Sequence, residues 1–242
     1  MRVAVISDIH ANYHALEAVL AAAAAVEPDE IWCLGDTVGY GPSPNECCAL
    51  VADRTSICLA GNHDLAVIGL LPVDEFNGDA AAAVRWTQSV LDDRSRAFLG
   101  RLEPSAVHGH AELFHGSPLD PVWDYVLSEQ AALSSFLATS SPVVLVGHSH
   151  VSLGLSWSAG RLAGGIAEPD VEVDLAAGRW LLNPGSVGQP RGKDPRAAWL
   201  VVDFAAGKAI FRRTEYEIGR TQQEILEHGL PAALAARLAL GI

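Results

Sequence analysis

A chain of 242 residues, half of them hydrophobic and 19% charged, has the size of one α/β domain with a sizeable core, and this composition excludes a disordered or low-complexity protein. Sixteen basic against 29 acidic residues leave a formal charge of −13, which repels phosphate backbones and argues against duplex nucleic acid as a partner. The apolar run Val3–Ile6 is too short for a signal-peptide core, Ala18–Val26 is too short to cross a bilayer, and Cys33, Cys47, Cys48 and Cys58 show no Cys-x-x-Cys spacing, so the expectation is a cytoplasmic protein with reduced thiols and no membrane partner.

Residues 2–7 read as a buried strand that stops at polar Ser7-Asp8, and His14 to Val26 follows as a helix. A second strand over Glu30–Leu34 runs into Gly35-Asp36, a helix spans Pro44–Ala52, and a third strand over Ser56–Ala60 runs into Gly61-Asn62. This alternation predicts parallel strands. Between Phe76 and Leu102 the apolar positions Ala80, Val84, Leu91, Phe98 and Leu102 predict two helices. Short strands bracket Leu113-Phe114-His115, a helix covers Ser128–Ala138, and Val143–Val146 is an apolar strand before Gly147. From Val151 to Arg213, alternating strands with turns at Ala159-Gly160 and Ala206-Gly207 predict antiparallel pairing, and Glu215 to Leu240 supplies closing helices. With no linker or repeat in view, residues 1–242 read as one domain into which 76–102 is inserted.

Each predicted core strand of the first half ends in side chains able to ligate a metal: Asp8 and His10, Asp36, Asn62 beside His63, His115, and His148 with His150. In open α/β sheets, sites form in the crevice beyond the carboxyl ends of the strands, so these five loops should converge. Carboxylates, imidazoles and an amide oxygen, without thiolates, suit manganese, iron or zinc. An extended backbone would turn Asp8 and His10 to one side, would do the same for His148 and His150, and would aim His63 away from Asn62 toward substrate. Glycines precede Asp36, Asn62 and His148, where tight turns bring backbone close to the ions. Capping of the following segment is the competing explanation for Asp8, Asp36 and Asn62, and a satisfied core histidine for His115, His148 and His150; five such loops in series disfavour both. Asp64 has two readings of equal weight, orienting His63 or bonding to backbone. His14, His108, His110 and His228 fall outside these blocks and read as surface or structural residues.

The blocks Asp-x-His at 8–10, Gly-Asp at 35–36, Gly-Asn-His-Asp at 61–64, His-Gly at 115–116 and Gly-His-x-His at 147–150 resemble, in this order, the calcineurin-like metallophosphoesterase superfamily. Stretches 35–41, 115–118 and 183–191 look like its bacterial branch of predicted phosphodiesterases, which includes diadenosine tetraphosphate hydrolases. The resemblance implies an α/β fold, a four-layer α/β/β/α sandwich of two mixed sheets with a small helical insertion. It also implies two divalent metal ions: Asp8, His10 and His150 on the first, Asn62, His115 and His148 on the second, and Asp36 bridging both. The implied activity is hydrolysis of a phosphodiester or nucleotide polyphosphate by a hydroxide bridging the ions, with His63 stabilising or protonating the leaving oxygen. Protein Ser/Thr phosphatases of the superfamily carry Asp-Arg after the Gly-Asp block, where Gly39-Tyr40 stand here. The acid that orients their catalytic histidine is therefore missing, and the partner of His63 is open.

The loop 188–196 places Arg191, Lys193 and Arg196 in an otherwise acidic chain. Arg191 suits a bidentate phosphate contact, Tyr40 a stacked base, and the 76–102 helices a lid, which together point to a small, nucleotide-like phosphorylated substrate. Neutralisation of surface acids is the alternative reading of the three cations. A metal-binding protein-interaction scaffold of the same fold would have no need of the full set of ligands and His63, and a nuclease would add a basic groove that this chain lacks.

Overall fold

The computed structural model describes residues 1–242. The first half runs β1 (Arg2–Ile6), α1 (Tyr13–Ala24), β2 (Glu30–Cys33), α2 (Pro44–Arg54), β3 (Ile57–Cys58) and α3 (Asn62–Val67), so the expected strand–helix alternation is present. Next come the helices α4 (Gly78–Val90) and α5 (Asp93–Leu99), then β4 (Ser105–His108), β5 (Ala111–Phe114), α6 (Glu129–Ala138) and β6 (Val143–Leu145). The remainder is β7 (Leu153–Ser158), β8 (Arg161–Ile166), β9 (Glu172–Asp174), β10 (Arg179–Asn183), β11 (Ala197–Asp203) and β12 (Lys208–Thr214), closed by α7 (Ile218–Glu227), α8 (Ala232–Ala236) and a 3-10 turn at Arg237–Ala239.

Two six-stranded sheets result, in the orders β3-β2-β1-β11-β12-β9 and β4-β5-β6-β10-β7-β8. β1 pairs parallel with β2 and antiparallel with β11, which makes it a central strand. Its alternate residues serve two different interiors, as the two-residue period of a strand requires. Val3 and Val5 face the second sheet together with Trp32 and Leu34, meeting Leu113, Leu145, Leu182 and Phe211. Ala4 and Ile6 face outward onto Leu16 and Val19 of α1 and onto Cys47 and Val51 of α2. On the far side, Val144 and Leu181 of the second sheet pack against Ala132 and Phe136 of α6. Helix, sheet, sheet, helix is the layer order, the four-layer sandwich that the resemblance implied.

The antiparallel pairing expected over Val151–Arg213 holds for every strand pair within that span, and one parallel contact ties it to the strand before it. The second half is antiparallel at the β7–β8 and β11–β12 hairpins, but β10 runs parallel to β6 and antiparallel to β7. The chain returns from the β7–β8 hairpin to insert β10 between β6 and β7. Leu181 and Leu182 are consequently both fully buried, as befits a strand covered on both faces. The predicted strand Ser56–Ala60 also shrinks to two residues, because Ala60 donates its N–H to Glu103 and leaves the ladder.

α4 is pinned on two sides. Ala80 and Ala83 pack with Tyr40, Ile225 and Leu234, while Val84 joins Val38, Val67 and Leu99. The segment thus sits directly over the loop that follows Asp36. No helix is long and apolar enough to cross a membrane, and all four cysteines are free.

Phe211 has no exposed surface and joins the two sheets. Phe211→Ala should cost about 3–5 kcal/mol of stability, read as a lower denaturant midpoint with an unchanged m-value.

Candidate metal centre

The side chains singled out at the strand ends meet in one buried cluster, but the backbone reaches it by an unexpected route. Asp8, His10, Asp36, His148 and His150 all adopt left-handed backbone, with φ between 50° and 62°. An extended chain therefore does not explain why Asp8 and His10 share a side. Consecutive reversals at the end of β1 do, and they cost about 1–2 kcal/mol per non-glycine residue. Cross-loop hydrogen bonds hold them: Asp8 N to Gly35 O at 3.0 Å, His10 N to Asp36 O at 2.9 Å and Gly188 N to Asp8 O at 3.0 Å. His63 likewise lies in the first turn of α3 and not on an extended chain; its N–H donates to Asp36 Oδ1 at 2.9 Å.

Two features clamp the Asp36 loop. The Asp64 carboxylate accepts from Thr37 N at 3.2 Å, Val38 N at 3.0 Å and Gly61 N at 3.0 Å, so of its two readings the backbone-bonding one describes this structure. Gly61 passes so close that an added Cβ would lie 2.0 Å from Asp36 Oδ1, which only glycine avoids.

Within this frame, Asp36 Oδ2 lies 3.6 Å from His10 Nε2 and 3.5 Å from His115 Nε2. On one side of it, Asp8 Oδ1 lies 3.5 Å from His150 Nε2, and the Nε2 atoms of His10 and His150 are 3.0 Å apart. On the other side, Asn62 Oδ1 is 3.3 Å from His115 Nε2, and His148 comes within ligand distance of both Asp36 and His115. Backbone carbonyls set the ring orientations: Val38 O faces His10 Nδ1 at 3.2 Å, Leu34 O faces His115 Nδ1 at 2.9 Å, and Gln189 O faces His150 Nδ1 at 2.8 Å. A carbonyl accepts only, so each Nδ1 carries the proton and each Nε2 turns a lone pair inward.

That arrangement fits a metal cation. Both Asp8 oxygens are buried without any hydrogen-bond partner, an expensive state for a carboxylate unless a cation faces it. Burial pushes the Asp8 carboxyl up to about 7 and that of Asp36 well above the usual range. Burial also holds His10, His115 and His150 well below their ordinary value and lowers His148 to about 4, which keeps the imidazoles neutral as ligands must be. Each residue named from the sequence as a ligand lies in this cluster.

The flanking residues divide. His63 lines the cavity between Tyr40 and Phe76, with ring centroids 4.4 Å and 4.9 Å away, and no carboxylate bonds to its ring. Its Nδ1 is buried without a partner, and desolvation lowers its pKa to about 3. Tyr40 cannot stack a base as expected: it is 7% exposed, with His10 and His63 against its ring and the Arg237 guanidinium over it. Of the three loop cations only Arg191 reaches the cavity; Arg196 is paired with Asp194 at 2.7 Å. Sequence reasoning missed Trp123 and Tyr125, which line the mouth; Tyr125 stacks on His148 at 4.1 Å with an 11° interplanar angle and is 45% exposed. Two aromatics, spaced Trp-Asp-Tyr in a loop that follows the His115-Gly116 block, were the available signal.

Residues 1–207 match the calcineurin-like phosphoesterase superfamily domain, and the chain belongs to that superfamily. Its members are metal-dependent phosphoesterases, which agrees with the donor set. Over its full length the chain is 40% identical to a metallophosphoesterase from Sphaerobacter thermophilus, covering all of both chains with a TM-score of 0.91. It is 35% identical to an uncharacterized protein of Methanocaldococcus jannaschii, across 99% of this chain and 98% of that one. The fold alone is shared, at 18% identity and a TM-score of 0.53, with a structure described as a candidate diadenosine tetraphosphatase; 88% of this chain and 94% of that one are covered.

Metal affinity should be pH-dependent with a defined sign. Burial raises both carboxyls, so that Asp8 takes up a proton as pH falls through about 7 and Asp36 is also protonated more readily than an ordinary carboxylate, and a protonated carboxyl must release its proton to bind a cation. Titration calorimetry with Mn²⁺ should show weaker binding at pH 5.5 than at pH 8, with proton release that grows toward the lower pH; pH-independent binding would contradict the assignment.

Proposed function

We propose that the protein hydrolyses a small phosphodiester or nucleotide polyphosphate at a two-metal centre. One observation carries this reading: a single carboxylate oxygen, Asp36 Oδ2, stands almost equally far from His10 and from His115, each in a different ligand group. Asp8, His10 and His150 would hold one divalent ion, Asn62, His115 and His148 the other, and Asp36 both. Two such ions supply the Lewis acidity that activates water at neutral pH and neutralises phosphoryl charge.

The chain's own residues do the rest. His63, rigidly walled by Tyr40 and Phe76, points its imidazole into the cavity and stabilises the leaving oxygen by hydrogen bonding. Arg191 offers a planar fork to a phosphate oxygen pair. Tyr125, held against His148 with much of its ring exposed, replaces Tyr40 as the surface on which a base stacks. Phe76, Asn77 and Ala80 also line the cavity, with Phe76 packed on Trp123, so the 76–102 segment serves as a lid that limits access to small substrates. A phosphoprotein loop fits such a walled cavity poorly, and the acidic surface disfavours nucleic acid.

Mn²⁺-loaded protein should hydrolyse bis-p-nitrophenyl phosphate near neutral or mildly alkaline pH. His63→Ala should lower kcat about 10²–10⁴-fold with metal content intact, whereas Asp36→Asn should remove both metal and activity. An inert wild type that holds its metals would refute the hydrolase reading.

A further inference from the structure

Arg237 belongs to none of the sequence blocks and lies beyond residue 207, where the superfamily match ends. The last helical turn nevertheless brings it against Tyr40, which lines the cavity. Its guanidinium carbon sits 4.3 Å from the centroid of the Tyr40 ring, whose ring packs on His63. Its Nε donates to Gln189 Oε1 at 2.5 Å, and its Nη2 is buried with no acceptor at all.

Like Arg54, Arg94, Arg96, Arg101, Arg161 and Arg179, this cation and Arg191 belong to no ion pair, and among these arginines Arg237 alone has a buried nitrogen without an acceptor. Arg2, Arg85, Arg196, Arg212, Arg213 and Arg220 each pair with a carboxylate. Arg191 and Arg237 pair with none, although the chain has 29 acidic residues. They lie near enough to repel each other, and their combined field reaches His63 and His150. Two like charges, one of them largely buried, gain nothing for the fold from this proximity. A guanidinium nitrogen cut off from water without an acceptor costs about 1–3 kcal/mol or more. An anion placed between them would remove both penalties, and the metal ligands His148 and His150 share a cavity wall with Arg191.

We propose that Arg237 and Arg191 form an anion subsite for a second phosphoryl group, which makes the protein selective for pyrophosphate-linked substrates over simple diesters. The proposal rests on the reading of the adjacent metal centre as the hydrolytic site. The phosphoryl group under attack sits at the metals, and the next phosphoryl group along the chain sits between the two guanidiniums. Arg237 Nη2 is shielded, so the ligand reaches it with a rotamer change at the cavity wall. Arginine suits this position because the stacked, planar guanidinium keeps its orientation over Tyr40 while its remaining N–H groups face the anion.

Binding of inorganic pyrophosphate and of orthophosphate to the metal-loaded protein, followed by calorimetry, separates this subsite from a merely structural role. Arg237→Gln should weaken pyrophosphate about tenfold or more and orthophosphate by no more than about threefold, with Arg237→Lys intermediate. The ratio of kcat/KM for a dinucleoside polyphosphate to that for bis-p-nitrophenyl phosphate should fall in parallel. Equal weakening of both anions, as expected if Arg237 only positions Tyr40 and Gln189, overturns the proposal, and so does no change in either. Should Arg237→Gln not fold, Arg237→Lys and Arg191→Gln carry the same comparison. A wild type that discriminates pyrophosphate through Arg237 but cleaves no phosphoester retains the subsite and rejects the hydrolase; one that cleaves diesters without pyrophosphate preference does the reverse.

Discussion

Two carboxylates, Asp8 and Asp36, are fully buried on either side of His10, and Asp8 has no hydrogen-bond donor for either oxygen. Everything around them reads as a response to that constraint. The imidazoles of His10, His115 and His150 turn lone pairs inward because backbone carbonyls occupy their outer nitrogens. A cluster built only of acceptors is stable when a cation completes it. The strained backbone at five of the cluster's residues follows from the same demand, since strand ends alone do not point Asp8 with His10, or His148 with His150, to one centre.

The fold supplies the rigidity that this strain requires. Both sheets deliver their strand ends to one edge, and the packed face between Val5, Leu34, Leu145 and Leu182 keeps the two halves of the cluster in register. The clamp at Asp64 is local: three backbone donors from two loops converge on one carboxylate, so the loop bearing Asp36 and the turn bearing Asn62 move together or not at all. Such a frame explains why a residue without any contact to substrate can be as necessary as a ligand.

The residues that converge were legible in the sequence, because each strand of the first half announces its end with a ligand-type side chain, and the layer order was legible through the resemblance that those blocks carry. The route by which they converge was not. Left-handed φ at Asp8 or His148 depends on hydrogen bonds from distant loops, and no local pattern encodes those. The parallel placement of β10 was hidden for a related reason: alternation reports which face is buried, while strand order reports where a returning chain finds an open edge. Tyr40 was misjudged as a free face because the cation that covers it, Arg237, arrives nearly two hundred residues later. Trp123 and Tyr125 left only the faint signal of two aromatics one residue apart, Arg237 left none, and the folded structure shows what they border.

The central claim is that one buried carboxylate joins two metal ions. Diffraction from crystals of the Mn²⁺-loaded protein, recorded at the manganese absorption edge, tests it most directly. The account predicts two anomalous peaks about 3.5–4 Å apart on either side of Asp36. A single peak, or peaks away from Asp36, would contradict it.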